Sequence, residues 1–195
     1  MPDVVKLITS DHREIEALFA RLRDRPHNRR ADLVKLAALL TAHARAEEDR
    51  VYPELRKAVP AGDGDVHHGF EEHKEAEVIL DRLKSAEPGG AEFDRTLKRL
   101  VQSVSRHIKE EENEMLPALG RAVGRKRLQE LGKAFKERRD QELAALMMPV
   151  QARRGSASLQ SMSKAELYRR AQDADLPGRS RMSKEELADA LRRRG

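Results

Sequence analysis

The sequence predicts an all-α protein, an up-down-up-down four-helix bundle followed by a small helical module at the C-terminus. Three observations lead there. Apolar side chains recur three and four apart through the first 120 positions, proline and glycine clusters cut that stretch into four, and the composition is 37% charged with only 3% aromatic. Such a composition argues against a β-sandwich and against a nucleic-acid module that stacks bases on aromatic rings.

The first helix is expected near residues 3 to 24, where Ile8, Ile15, Leu18, Phe19 and Leu22 share one face. Pro26 to Asn28 ends it, and a second helix, carrying Leu33, Leu36, Leu39 and Leu40, runs from about 30 to 58. Pro60 to Asp65 and Pro88 to Gly90 bound a third helix near 66 to 86, and a fourth occupies about 91 to 119. Connections this short favour antiparallel neighbours. Pro53 and Pro117, late in the second and fourth helices, are expected to kink or end them. The bundle is thus assigned to residues 1–120, a basic connecting helix to 121–146, a linker to 147–160 and a terminal module to 161–195.

Charge divides along the same line. Residues 1–120 hold 20 basic and 24 acidic side chains while the last 75 hold 19 and 10, so a net +5 separates into −4 and +9. Any anionic partner is expected at the C-terminal part. The chain has no cysteine, which excludes a disulfide framework, a thiolate metal site and a cysteine nucleophile. The opening MPDVVKLITSDHREIE has no apolar run of signal length, and a soluble cytoplasmic protein is expected, with no membrane contact.

The two halves of the bundle repeat. Asp11-His12-Arg13-Glu14, leading to Arg21-Leu22, returns 61 positions later as Glu72-His73-Lys74-Glu75, leading to Arg82-Leu83. His43 to Glu47, leading to Pro53 and Leu55, returns 64 positions later as His107 to Glu111, leading to Pro117 and Leu119. Residues four apart on a helix project from one side, offset by about 40°. Taken singly, either His-Glu pair reads as a weak solvated ion pair. Taken together, one histidine per helix and two inward carboxylates form a ligand set for two transition-metal ions, because buried carboxylates require pairing or a metal.

These residues, His12, His43 with Glu47, His73, and His107 with Glu111, resemble the haemerythrin-like (HHE) cation-binding family over roughly residues 3 to 120. The resemblance implies a bundle around a non-haem di-iron centre, with the four histidines as terminal ligands and Glu47 and Glu111 as bridges. It implies a small diatomic or peroxide ligand and a carrier or sensor of dioxygen, with a di-iron oxidase or peroxide-consuming enzyme as the alternative. The invertebrate oxygen carriers of that family place a second histidine four residues before the third-helix ligand, where this chain has Gly69, with His67 and His68 nearby. They also bridge with an acid five residues after the last histidine, where this chain has Glu112. Ideal helix geometry turns His67 and His68 away from the site and favours a loop or surface role, so His68 is an additional candidate ligand only if the helix starts after it; Glu112 is another candidate. Tyr52, nine residues from His43, falls on the opposite side of an ideal helix and is expected in core or interface packing.

The tail carries two helix starts of the form Ser-Lys-x-Glu-Leu, at Ser163 and Ser183, joined through Leu176-Pro177-Gly178. Ser163 with Glu166, and Ser183 with Glu186, read as capping boxes. The segment resembles the helix-extended-helix module of Rho N-terminal and SAP-type tails, which implies association with DNA or RNA. Lys164, Arg169, Arg170, Arg179, Arg181, Lys184, Arg192, Arg193 and Arg194 are the candidates to meet phosphates, in a salt-sensitive and largely sequence-independent way. The opposing reading is a solvated module without nucleic-acid affinity. A third possibility is a nucleic-acid-binding protein in which the metal bundle is structural or regulatory.

Overall fold

A computed structural model describes residues 2–147, 163–173, 176 and 182–194. The chain divides into two compact units, Met1–Leu146 and Met147–Gly195, and the described residues contain helices and no strand. In the first unit, α1 spans Val4–Asp24, α2 Arg29–Ala46, α3 Tyr52–Ala58, α4 Asp63–Ser85, α5 Ala91–Glu110, α6 Leu116–Ala122 and α7 Arg125–Met147. The Asp3 carboxylate caps α1, accepting from the Lys6 amide at 3.0 Å.

The two late prolines do not end their helices. Each helix passes through one π-helical turn, Glu47–Val51 between α2 and α3 and Glu111–Met115 between α5 and α6. The Tyr52 amide donates to the Glu47 carbonyl and the Leu116 amide to the Glu111 carbonyl, both five residues back. Proline in an α-helix loses its own hydrogen bond and presses its ring on the carbonyl four residues earlier. A wider turn just before Pro53 and Pro117 relieves both problems, and the helix continues. Turns of this kind often mark functional sites.

Two apolar clusters fill the bundle. One contains Ile15, Leu22, Leu36, Leu83, Phe93 and Leu100, the other Val4, Ile8, Tyr52, Val66, Leu119 and Phe135. Along α1 the second cluster precedes His12 and the first follows it; along the next rod the order reverses around His43, and it alternates again at His73 and His107. The histidines therefore form one layer between two dry blocks, as an antiparallel bundle requires. Buried Arg29 closes the far end, donating to the carbonyls of Leu22 at 2.8 Å and Pro88 at 2.6 Å.

The connecting helix α7 packs on the bundle. Leu131 and Phe135 join the second cluster, and Gly132 lies so close to the start of α1 that a Cβ there would sit 2.8 Å from the Pro2 carbonyl oxygen. Its arginines pair with bundle acids, Arg127 with Glu54, Arg138 with Asp49 and Arg139 with Asp11. Part of the basic excess that pointed outward in sequence thus neutralises the bundle itself.

The second unit contains α8, Lys164–Asp173, and α9, Lys184–Arg194, around a core of Leu167, Ala171, Leu176, Leu187 and Ala188. The Ser183 box forms: its amide donates to Glu186 at 2.7 Å and its hydroxyl accepts from the Glu186 amide at 3.2 Å. The Glu166 side chain, the Pro177-Gly178 turn and linker residues 148–160 lie outside the described residues.

Candidate metal centre

The residues singled out by the repeat come together in the histidine layer. His12, His43, Glu47 and Glu111 present ligand atoms within 4.8 Å of one another, and so do Glu47, His73 and His107, so Glu47 belongs to both groups. Its two oxygens lie 3.1 Å from His43 Nε2 and 3.4 Å from His73 Nε2. Glu111 takes the equivalent place, 3.2 Å from His12 Nε2 and 3.9 Å from His107 Nε2. Each carboxylate thus reaches one histidine of its own half and one of the other.

Behind each imidazole stands a second carboxylate. The Nδ1–H of His12 donates to Glu112 at 2.8 Å, that of His43 to Asp11 at 3.3 Å, that of His73 to Glu48 at 2.9 Å and that of His107 to Glu72 at 2.9 Å. The pattern follows the repeat: Asp11 and Glu72 act within their halves, while Glu48 and Glu112 cross to the other half. A carboxylate acceptor at Nδ1 fixes the tautomer whose Nε2 lone pair faces the centre, the arrangement usual for metal-bound histidine. These acids were visible in sequence beside their repeated His or Glu neighbours, but their role depends on which helices adjoin.

Most of the inward atoms have no hydrogen-bond partner, although His73 Nε2 and His107 Nε2 lie 3.1 Å from each other. His12 Nε2, His43 Nε2 and all four oxygens of Glu47 and Glu111 are buried without one. Such atoms each cost about 1–3 kcal/mol unless something satisfies them, and cations shared between the carboxylates would satisfy the whole set. Nitrogen and oxygen donors with no thiolate suit iron, manganese or zinc. The residues present therefore fit a dinuclear metal site.

A family model for the Hemerythrin HHE cation binding domain matches residues 3–119. The chain belongs to that family. Among solved structures, a Hemerythrin HHE cation binding domain-containing protein from Mycobacterium kansasii is similar with a TM-score of 0.66 and 23% identity, covering 74% of this chain and 90% of that one, a likeness of fold. Among characterised proteins, a DNA nickase of Nostoc sp. is 26% identical over 136 residues, 69% of this chain. The match spans 38% of the nickase. The haemerythrin-like domain is accordingly a cation-binding bundle with its His and Glu groups in the core.

Three further residues are placed by the structure. Tyr52 is fully buried and stacks on His73 with ring centroids 5.6 Å apart, its hydroxyl 3.4 Å from His73 Nε2. The π turn absorbs one residue, so the phase from His43 becomes that of eight α-helical steps, about 80° rather than 180°. Gly69 completes this contact, since a Cβ there would stand 2.7 Å from the Tyr52 hydroxyl. The phenol thus fills the space beside the residue that stands in for the oxygen carriers' extra histidine. His68 does not enter the centre: its side chain is 54% exposed, 3.5 Å from both Glu72 and Glu110. Glu112 also stays outside the inward set, because its carboxylate is taken by His12 Nδ1 and by Arg13.

The electrostatics follow from burial among acids. Burial pushes the His43 imidazolium down, but Glu47 and Asp11 outweigh it and lift the pKa to about 10. For His73 the same opposition, with Glu47 and Glu48, ends at about 9. Burial raises Glu72, yet His107 and Arg106 bring it to about 2. Tyr52 is raised well above the usual phenol range by burial and then by the negative charge of Glu47 and Glu111, which keeps it neutral.

Of the tail candidates, Lys164 and Lys184 are exposed at the first turns of α8 and α9. Arg179 and Arg181, and the side chains of Arg169, Arg170, Arg192, Arg193 and Arg194, lie outside the described residues. No helix among the described residues is long and apolar enough to cross a membrane.

Proposed function

We propose that the protein is a non-haem di-iron protein that binds or senses dioxygen or a related small oxidant. The observation that carries this reading is the convergence of four oriented imidazoles on the unpartnered carboxylates of Glu47 and Glu111. His12 and His43 would hold one ion, His73 and His107 the other, with Glu47 and Glu111 shared. Iron, when bound, supplies reversible redox change and open coordination positions. The chain's own residues do the rest: Asp11, Glu48, Glu72 and Glu112 hold each ring in register, the two apolar clusters exclude bulk water, and neutral Tyr52 keeps a hydroxyl near His73. Mixing the reduced, iron-loaded protein with oxygen and then with peroxide tests the role. A reversible spectral change without turnover supports binding or sensing, whereas sustained peroxide consumption replaces that reading with a protective enzyme.

A second activity, nucleic-acid binding, is supported by the similarity to a protein described as a DNA nickase, and the basic composition of the tail assigns it to the C-terminal unit. Residues 150–195 hold 11 basic and 6 acidic side chains, whereas several α7 arginines are engaged by the bundle. Full-length protein should bind duplex DNA or RNA with an affinity that falls steeply with salt, and a truncation ending at Leu146 should lose it. Equal binding by both forms would remove the tail from the account.

A further inference from the structure

A cavity of about 530 Å³ opens onto the histidine layer. All four imidazoles, of His12, His43, His73 and His107, line it, while Glu47 and Glu111 do not. Glu47 and Glu111 lie in the π turns, near the buried residues Val51, Tyr52 and Met115 of the same turns and their ends. The shaft beyond the imidazoles is lined by apolar Ile15, Leu40, Ala44, Ala76, Leu80 and Val104, with the polar groups of Thr41, Ser103, Glu48 and Glu72 among them. It ends at a rim between α2 and α4 that is charged and exposed, with Arg45, Glu71, Lys74 and Glu77.

These dimensions exceed what a diatomic molecule needs. A water molecule's share of liquid volume is about 30 Å³, so the space corresponds to many small molecules side by side, and it falls within the roughly 300–1,000 Å³ typical of organic-ligand pockets. A mostly apolar lining that includes metal-directed imidazoles has the composition of such a pocket: apolar walls provide affinity and a few polar groups fix orientation.

We propose that this cavity binds an organic molecule with an unbranched or aryl apolar body and one oxygen-donor head, the head at the imidazole floor and the body along the shaft toward the charged rim. The proposal rests on the metal-centre reading and adds a ligand class to it. The charged rim sets the length limit, since an apolar body extending past Arg45 and Lys74 would enter solvent and gain nothing more.

The test uses the full-length, iron-loaded protein, with azide as a small reference ligand and straight-chain carboxylates from acetate to decanoate as competitors. Azide binding, read from its visible absorption, reports that the centre accepts exogenous ligands. Affinity for the carboxylates should then rise about fourfold per added methylene, the increment expected for burying a CH₂ group, and level off once the chain reaches the rim. Ala44→Phe, which narrows the shaft, should flatten that rise. Azide binding combined with carboxylate affinity independent of chain length would overturn the cavity proposal and leave the metal centre standing. Failure to bind iron or azide would overturn both, at the metal-centre reading.

Discussion

Arg139 donates through Nη1 to Asp11, and Asp11 accepts from His43 Nδ1, so helix α7 holds a histidine of the centre from beyond the end of the family match at residue 119. Phe135, one turn earlier on α7, meets the same imidazole edge-on with ring centroids 5.9 Å apart. The corresponding carboxylate of the other half, Glu72, pairs with Arg106, which is 53% exposed against 15% for Arg139. Two halves that repeat in sequence are therefore supported unequally.

Removing that support should act on one metal position. Arg139→Ala is expected to weaken one of two stepwise metal-binding events by about 10- to 100-fold, the usual range for residues that orient a ligand from behind. Arg106→Ala should cost less, because water already screens an exposed pair. Titration of both variants by calorimetry checks this, and equal losses from the two would count against the asymmetry.

Glu47 and Glu48 are neighbours with different tasks. Glu47 faces both metal groups, while Glu48 faces only His73 Nδ1. Glu47→Gln should therefore reduce metal content below two ions per chain, whereas Glu48→Gln should retain stoichiometry at lower affinity. Elemental analysis after gel filtration separates the two outcomes.

Packing of α7 can be tested at a glycine. Gly132→Ala forces a methyl group against the backbone of Pro2, Asp3 and Val4, where no flexible side chain can yield. A loss of about 1–3 kcal/mol is expected, as for other overpacked sites, and it should appear as a lower Tm. Gly120→Ala in α6 meets nothing within 4 Å and should instead raise stability slightly, by up to about 1 kcal/mol, through helix propensity.

Metal affinity and the stability of the metal-stripped chain should respond to pH in opposite directions. Without metal, His43 and His73 hold protons up to about pH 10 and 9, above the ordinary histidine value. Raised folded-state values give stability that is complete below about pH 6.5 and is lost as pH rises through 9 to 10. A metal needs the same nitrogens unprotonated, so its binding expels protons and its affinity should climb from pH 6 to 9. Thermal melts of stripped protein and metal titrations across that range check both slopes.

Much of the centre was legible because it repeats: four histidines and two glutamates at offsets of 61 and 64 stand out against a charged background. What escaped did so for geometric reasons. Tyr52 lies in the core as expected, but its contact with His73 escaped because helix phase presumes 3.6 residues per turn, and the turn before Pro53 departs from that; the recurrence of proline at Pro117 was the available signal. Asp11 and Glu72 adjoin repeated histidines but serve others, on α2 and α5, a relation that only helix packing decides. The role of α7 could not be read from its charge, since arginines facing bundle acids and arginines facing solvent look alike in sequence.

The most direct test of the central claim is the metal content of purified protein. About two iron ions per chain with a visible spectrum are expected, both lost in the double variant His43→Ala with His107→Ala while the helical circular-dichroism signal persists. Metal retained undiminished by that variant, or a wild-type protein that takes up no metal when iron is supplied, would contradict it.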